Sequence, residues 1–164
     1  MPEQREANLN RLRNEALKIR RNIWRALHAS GSGHMGGSLS AADLLAALYF
    51  HHMRLRPAEP DWPGRFVLSK GHANAALGAV LAQAGIIDDA IIDKFYAYES
   101  LFGMHPDIKL AGVEMSTGGL GHGLSIGLGM ALGARLQARD FRVLVMIGDG
   151  ELQEGSNWEA AMAA

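Results

Sequence analysis

Asp149 stands between Gly148 and Gly150, directly after the apolar run Phe141-Arg-Val-Leu-Val-Met-Ile147. A carboxylate in that setting can hold Mg2+ against phosphate oxygens, and the flanking glycines let the backbone approach a bulky anion. Alone, the triplet is a weak signal and reads first as a strand-end turn with a capping Asp. Four histidines also occupy glycine or turn settings: Ser32-Gly-His34, Lys70-Gly-His72, Met104-His105-Pro and Gly121-His122-Gly. Imidazole donates and accepts protons near neutral pH, so this set points to hydrogen bonding and proton transfer on an oxygenated substrate. His51-His52 ends an amphipathic helix, and helix C-terminal electrostatics account for it. No serine has the strand–Ser–helix setting of a nucleophile elbow. A zinc site is disfavoured because the histidines lie far apart without a matching carboxylate motif.

These residues need elements to position them. Residues 5–29 have helical spacing, with Leu9, Leu12, Ala16, Ile19, Ile23, Ala26 and Leu27 on one face and Arg11, Arg13, Lys18, Arg20, Arg21 and Arg25 making the helix basic. Those charges read first as a solvated face and second as a phosphate or partner contact. Ser40 with Asp43 predicts a capping pair for a helix through Leu44, Leu45, Leu48 and Tyr49. Pro57, Pro60, Pro63 and Gly64 mark an exposed connection. Arg65 to Ser69 is a short strand, Gly71-His72 opens an alanine-rich helix running towards Gly85, and a short acidic helix follows from Asp88 to about Tyr96. Tyr98 to Glu114 reads as a surface crossover. The glycines between 118 and 129 would weaken a free helix by roughly 0.5–1 kcal/mol at each interior position. That is tolerable where another backbone or a flat ligand packs closely. The 141–147 run predicts a buried parallel strand, putting Asp149 at its carboxyl end, where open α/β sheets bind ligands. Ser156 and Glu159 resemble a capping box, with Trp158, Ala161 and Met162 opening a packed face. The alternation predicts an α/β fold, a three-layer α/β/α domain on a mostly parallel sheet. It divides into a basic amphipathic helix over 1–29 and a partial α/β domain over 30–164. The last helix stops too short to return to another parallel strand, so an interrupted βαβ unit is expected.

Composition narrows the class. The 164 residues carry 16 basic and 17 acidic side chains, which gives no general attraction for nucleic acid. No cysteine is present, excluding disulfides, thiolate catalysis and zinc–thiolate sites. The polar amino terminus is unlike a secretion signal and no apolar run reaches 18 residues; a cytoplasmic protein off the membrane is expected.

Five blocks together resemble the thiamin-diphosphate domain of transketolases: Ser32-Gly-His-Met-Gly-Gly-Ser38, Val67-Leu-Ser-Lys-Gly-His72, Gly103-Met-His-Pro-Asp107, Thr117-Gly-Gly-Leu-Gly-His-Gly123 and Gly148-Asp-Gly-Glu-Leu-Gln-Glu-Gly155. They occur in the family's order and cover the chain from about residue 10. The nearest likeness is to the amino-terminal subunit of split transketolases. The resemblance implies transfer of a two-carbon ketol unit from a ketose phosphate to an aldose phosphate, with thiamin diphosphate and Mg2+ as cofactors. It also implies a pyrimidine-binding partner subunit or domain and a dimer or heterotetramer. By the same resemblance, Asp149 is the metal ligand. Gly150, His72, Gly118 and Leu120 contact the cofactor, and His34 and His105 face the reacting carbon and donor hydroxyls. Glu154 serves the interface between cofactor sites, and His122 is a supporting residue where many full-length members carry glutamine.

The resemblance is incomplete. The family's metal-binding asparagine lies roughly thirty residues beyond the Gly-Asp-Gly block and Asn157 is too near to match it. The partner domain's glutamate is absent as well. A truncated chain that is inactive and retains its cofactor weakly by itself is therefore expected. Rival readings are a deoxyxylulose-phosphate synthase, which the His34 and His105 blocks disfavour, a transketolase for an unusual sugar, and an inactive assembly module.

Overall fold

The computed structural model describes residues 2–53 and 64–164. The connection marked by Pro57, Pro60 and Pro63 lies outside the described residues. Helix α1 (Pro2–Ser30) buries Ala16, Ile19, Ile23, Ala26 and Leu27, as the spacing predicts. Leu12 is only half-buried and Leu9 is exposed, and Gln83 Nε2 donates to the Glu15 carboxylate at 2.7 Å. The basic face is partly an anchoring face. Arg20 pairs with Asp43, Arg25 holds Asp89 at 2.8 Å and Asp93 at 2.7 Å, and Arg11 donates to the Phe50 carbonyl at 3.0 Å.

Two short helices, α2 (Met35–Leu39) and α3 (Ala42–Ala47), lead into a π turn at Leu48–His52. The predicted Ser40–Asp43 cap does not form. Asp43 is drawn to Arg20, whose guanidinium lowers its pKa, while Ser40 Oγ donates to the Gly37 carbonyl. Strand β1 (Gly64–Leu68) is followed by a 3-10 turn at Gly71–Ala73 and helix α4 (Asn74–Gln83). A second 3-10 turn, Asp89–Lys94, stands where the acidic helix was expected, and the Asp88 side chain caps it by accepting from the Ala90 amide at 2.9 Å. The stretch 98–114 is not a plain surface crossover: Phe102, Leu110 and Val113 are buried, with the Phe102 ring 4.8 Å from that of Phe95. Helix α5 (Gly123–Leu136), strand β2 (Arg142–Met146), a 3-10 turn at Gly150–Gln153 and helix α6 (Gly155–Ala163) complete the chain.

β1 and β2 pair in parallel, from Gly64 opposite Arg142 to Leu68 opposite Met146. Strand alternation then sorts the faces. Phe66, Leu68, Leu144 and Met146 join the core built on α1, α3 and α4, with the Tyr49 ring 5.7 Å from that of Phe66. Val143 and Val145 face α5, which approaches through Gly127. Helices thus cover both faces of a small parallel sheet, which is the predicted α/β/α layering on two strands among the described residues. Contrary to expectation, β2 buries only Met146 fully, because α5 alone covers its Val143–Val145 face. The Ser156–Glu159 cap also fails to form, and α6 buries Asn157 and Ala160 while Trp158, Ala161 and Met162 stay exposed. Ser156 Oγ is committed to the Gly121 carbonyl at 2.8 Å instead. No helix among the described residues is long and apolar enough to cross a membrane.

Candidate functional site

Parallel pairing puts the carboxyl ends of both strands side by side, so the turns after Leu68 and Met146 must share one edge. The Ser69 amide extends the pairing by donating to the Met146 carbonyl at 2.9 Å. A cleft of about 390 Å3 opens there, lined by Gly36 and Gly37 of α2, by Lys70 and His72 after β1, and by Gly148 to Glu151 after β2, with Leu120 closing one side. Asp149 is exposed at this cleft, and its carboxylate accepts no hydrogen bond among the described residues. Gly150, His72 and Leu120 line it too.

The remaining residues singled out in the sequence lie around the rim or behind it. The His34 and His72 rings meet edge-on at 5.2 Å. The His105 ring packs on Gly118, 3.7 Å from where a Cβ would stand, and its charge acts on His72. His34, His72 and His105 therefore converge on the side of Asp149. Glu154 does not line the cleft; it is exposed at the start of α6, with its side chain behind Gly121. His122 turns back on its own loop, where Nδ1–H donates to the Leu120 carbonyl at 2.9 Å because a carbonyl can only accept.

Three further residues shape the site without having been picked from the sequence. Lys70, nearly buried, donates to the Gly37 carbonyl at 3.0 Å and to Ser40 Oγ at 3.1 Å. Burial lowers its pKa, opposed by Asp149 and Glu151. Its signal was a lysine directly after a strand, beside a glycine and a histidine. Asn74 is fully buried and donates to the Gly103 carbonyl at 2.7 Å, fixing the chain two residues before His105. Glu151, 2% exposed, accepts from the Gly121 amide at 2.7 Å, from the Gly148 amide at 3.0 Å and from Ser69 Oγ. Only its place after Gly-Asp-Gly hinted at that.

Electrostatics set the chemistry the cleft can do. His72 has its pKa lowered, first by burial and then by His34 and Lys70, with Glu151 opposing. The donor set suits a diphosphate with a divalent cation. Gly36 and Gly150 leave open space where a Cβ would stand, Lys70 supplies a positive charge, and Asp149 keeps free oxygens. No group of three His, Asp or Glu side chains among the described residues could hold a metal alone. Mg2+ needs none, since it commonly binds through one or two carboxylates plus the phosphates of its ligand.

Residues 13–164 match the family described as transketolase, thiamine diphosphate binding domain. The chain is 43% identical over 148 residues to a subunit of the apulose-4-phosphate transketolase of Phocaeicola vulgatus, covering 89% of this chain and 53% of that protein. It is 41% identical to the 6-deoxy-6-sulfo-D-fructose transketolase subunit SqwG of a Clostridium species, covering 93% and 57%. It thus spans about half the length of these relatives. Among solved structures, the transketolase of Campylobacter jejuni superposes with a TM-score of 0.86 at 33% identity, covering 93% of this chain and 26% of that one. With the layered fold, the five sequence blocks and a cleft at the strand ends already in hand, that match over nearly the whole length decides the family: the chain belongs to the transketolases, within their thiamine diphosphate binding domain.

Proposed function

We propose that this chain is part of the diphosphate-side half of a transketolase that moves a two-carbon ketol unit from a ketose phosphate to an aldose phosphate, with a pyrimidine-binding partner subunit supplying the other half. The single observation behind this reading is the cleft that joins Asp149, Lys70 and His72 at the carboxyl edge of both strands. Asp149 and the diphosphate oxygens would share Mg2+, while Lys70 offsets the remaining negative charge. Gly150 would receive the diphosphate by its backbone, and Gly118 and Leu120 would line the ring region. Thiamin diphosphate, when bound, supplies the carbon nucleophile and electron sink that break a carbon–carbon bond beside a carbonyl. His34 and His105, both exposed at the rim, hold donor hydroxyls and carry the proton that leaves one. His72, held towards its neutral form, can accept a hydrogen bond there. Glu154 would serve contact between paired sites in a dimer or heterotetramer.

The subunit relatives are named for apulose 4-phosphate and for 6-deoxy-6-sulfo-D-fructose, which supports a specialised donor as a second reading. The test is an assay of the full chain with its partner subunit, thiamin diphosphate and Mg2+ across a panel of ketose donors and aldose acceptors. Turnover that stops on chelation and returns with Mg2+ is expected. Asp149→Ala should reduce it to background, while His34→Ala and His105→Ala should each lower kcat by about 10²–10⁴-fold. No turnover by the complete assembly on any donor would overturn the assignment.

A further inference from the structure

We propose that Glu151 is a positioning residue whose carboxylate clamps the two strand ends and the glycine-rich loop into one unit, and so sets Asp149 and Leu120 for the cofactor. This inference rests on the cofactor reading above. The three segments arrive from different parts of the chain, and each brings a donor to the same carboxylate. From the end of β1 comes Ser69 Oγ, from the glycine-rich loop the Gly121 amide, and from the end of β2 the Gly148 amide. Oε1 takes the first two and Oε2 the third. Ser69 can donate to Glu151 because it accepts from the Gly123 amide at 3.1 Å, leaving its one proton for the carboxylate. The main chain adds a fourth tie, as Asn157 Nδ2 donates to the Glu151 carbonyl at 2.6 Å.

Two carboxylates within three residues therefore have separate tasks. Asp149 keeps its oxygens free at the cleft, whereas Glu151, although it borders the same cleft, has its oxygens committed to protein donors. Only an acceptor without a proton of its own fits three converging donors. An amide at position 151 would turn an N–H towards another N–H, leaving a buried donor unpaired. Gly148 and Gly121 are the residues beside Asp149 and Leu120, so releasing either amide loosens a wall of the cleft. Groups that orient a ligand-holding residue typically change affinity by about 10- to 100-fold when removed.

The experiment compares wild type with Glu151→Gln, Glu151→Asp and Ser69→Ala, using the full chain with its partner subunit. Amide hydrogen exchange is read without cofactor, and calorimetry reads the affinity for thiamin diphosphate with Mg2+. Glu151→Gln should speed exchange at the Gly121 and Gly148 amides and weaken cofactor binding by about 10- to 100-fold. Glu151→Asp, which keeps the acceptors on a shorter stem, should recover part of both. Ser69→Ala removes one donor and should give a smaller loss at the same amides, which keeps the test open if Glu151→Gln fails to fold. Wild-type affinity and protection in Glu151→Gln would overturn the proposal, as would faster exchange spread evenly over the chain. Failure of the wild-type assembly itself to bind thiamin diphosphate would instead overturn the cofactor reading, while the exchange pattern would still report on the clamp.

Discussion

His72 and Lys70 lie on one turn after β1, and burial pushes both towards their neutral forms. For His72 the sign follows from linkage. Its folded pKa lies below the ordinary imidazole value near 6.5, so the unfolded chain binds more protons as the pH falls below about 6.5. Stability is unaffected by this group at higher pH and is lost as the pH drops towards the folded pKa. The Tm should therefore fall on acidification from about 6.5, and His72→Asn should flatten that part of the profile; a melt series across pH 5–8 checks it. Lys70 bears on binding instead. Its lowered pKa means that the charge facing a diphosphate is shed at lower pH than for an exposed lysine. Cofactor affinity measured by calorimetry should weaken as the pH rises through that range, and Lys70→Met should make it weak throughout.

Elements hold these residues by close approach. At Gly127 on α5, an added Cβ would stand 2.4 Å from Val145 Cγ2 on β2, and a valine stiff at χ1 yields poorly. Gly127→Ala should destabilise by roughly 1–3 kcal/mol despite its better helix propensity. Gly129, on the same helix with nothing near its Cβ position, is the control. Gly129→Ala should stabilise by about 0.5–1 kcal/mol, and denaturant melts separate the two. Across the sheet, the Phe102 ring fills the space over Gly78 of α4 and is fully buried. Phe102→Ala should cost about 3–5 kcal/mol and loosen the loop that carries His105, seen as faster amide exchange around Gly103.

The whole molecule leaves apolar side chains exposed on two adjoining helices. Leu132 and Leu136 on α5 are exposed, as are Trp158 and Met162 on α6, the last at 81%. Each pair is spaced four residues apart and so shares a helix face. A patch of that kind on adjoining helices suits a subunit contact. Adding the proposed partner subunit should raise the Tm of the chain in a concentration-dependent way, because a partner that binds only the folded form stabilises it. Leu136→Glu with Trp158→Glu should abolish the rise while leaving the Tm of the chain alone nearly unchanged; an undiminished rise would place the contact elsewhere.

Local patterns determined much of this protein. The spacing of Ala16, Ile19, Ile23 and Ala26 made α1 legible, runs of consecutive apolar residues marked β1 and β2, and the five blocks indicated the family before any geometry was known. Helix and strand periods are short-range properties, and a glycine-flanked Asp after a strand gains its meaning from the four other blocks that accompany it. Tertiary structure decided what depends on competition among partners. Ser40 and Ser156 look like caps in sequence, yet each hydroxyl bonds elsewhere because Asp43 is drawn to Arg20 and the Gly121 carbonyl lies beside Ser156. Trp158 and Met162 look like core, yet α6 turns Asn157 and Ala160 inwards. Glu151 reads as one acid among several until Ser69, Gly121 and Gly148 converge on it from distant positions. A carboxylate's role follows from which donors surround it, and only the folded chain brings those donors together.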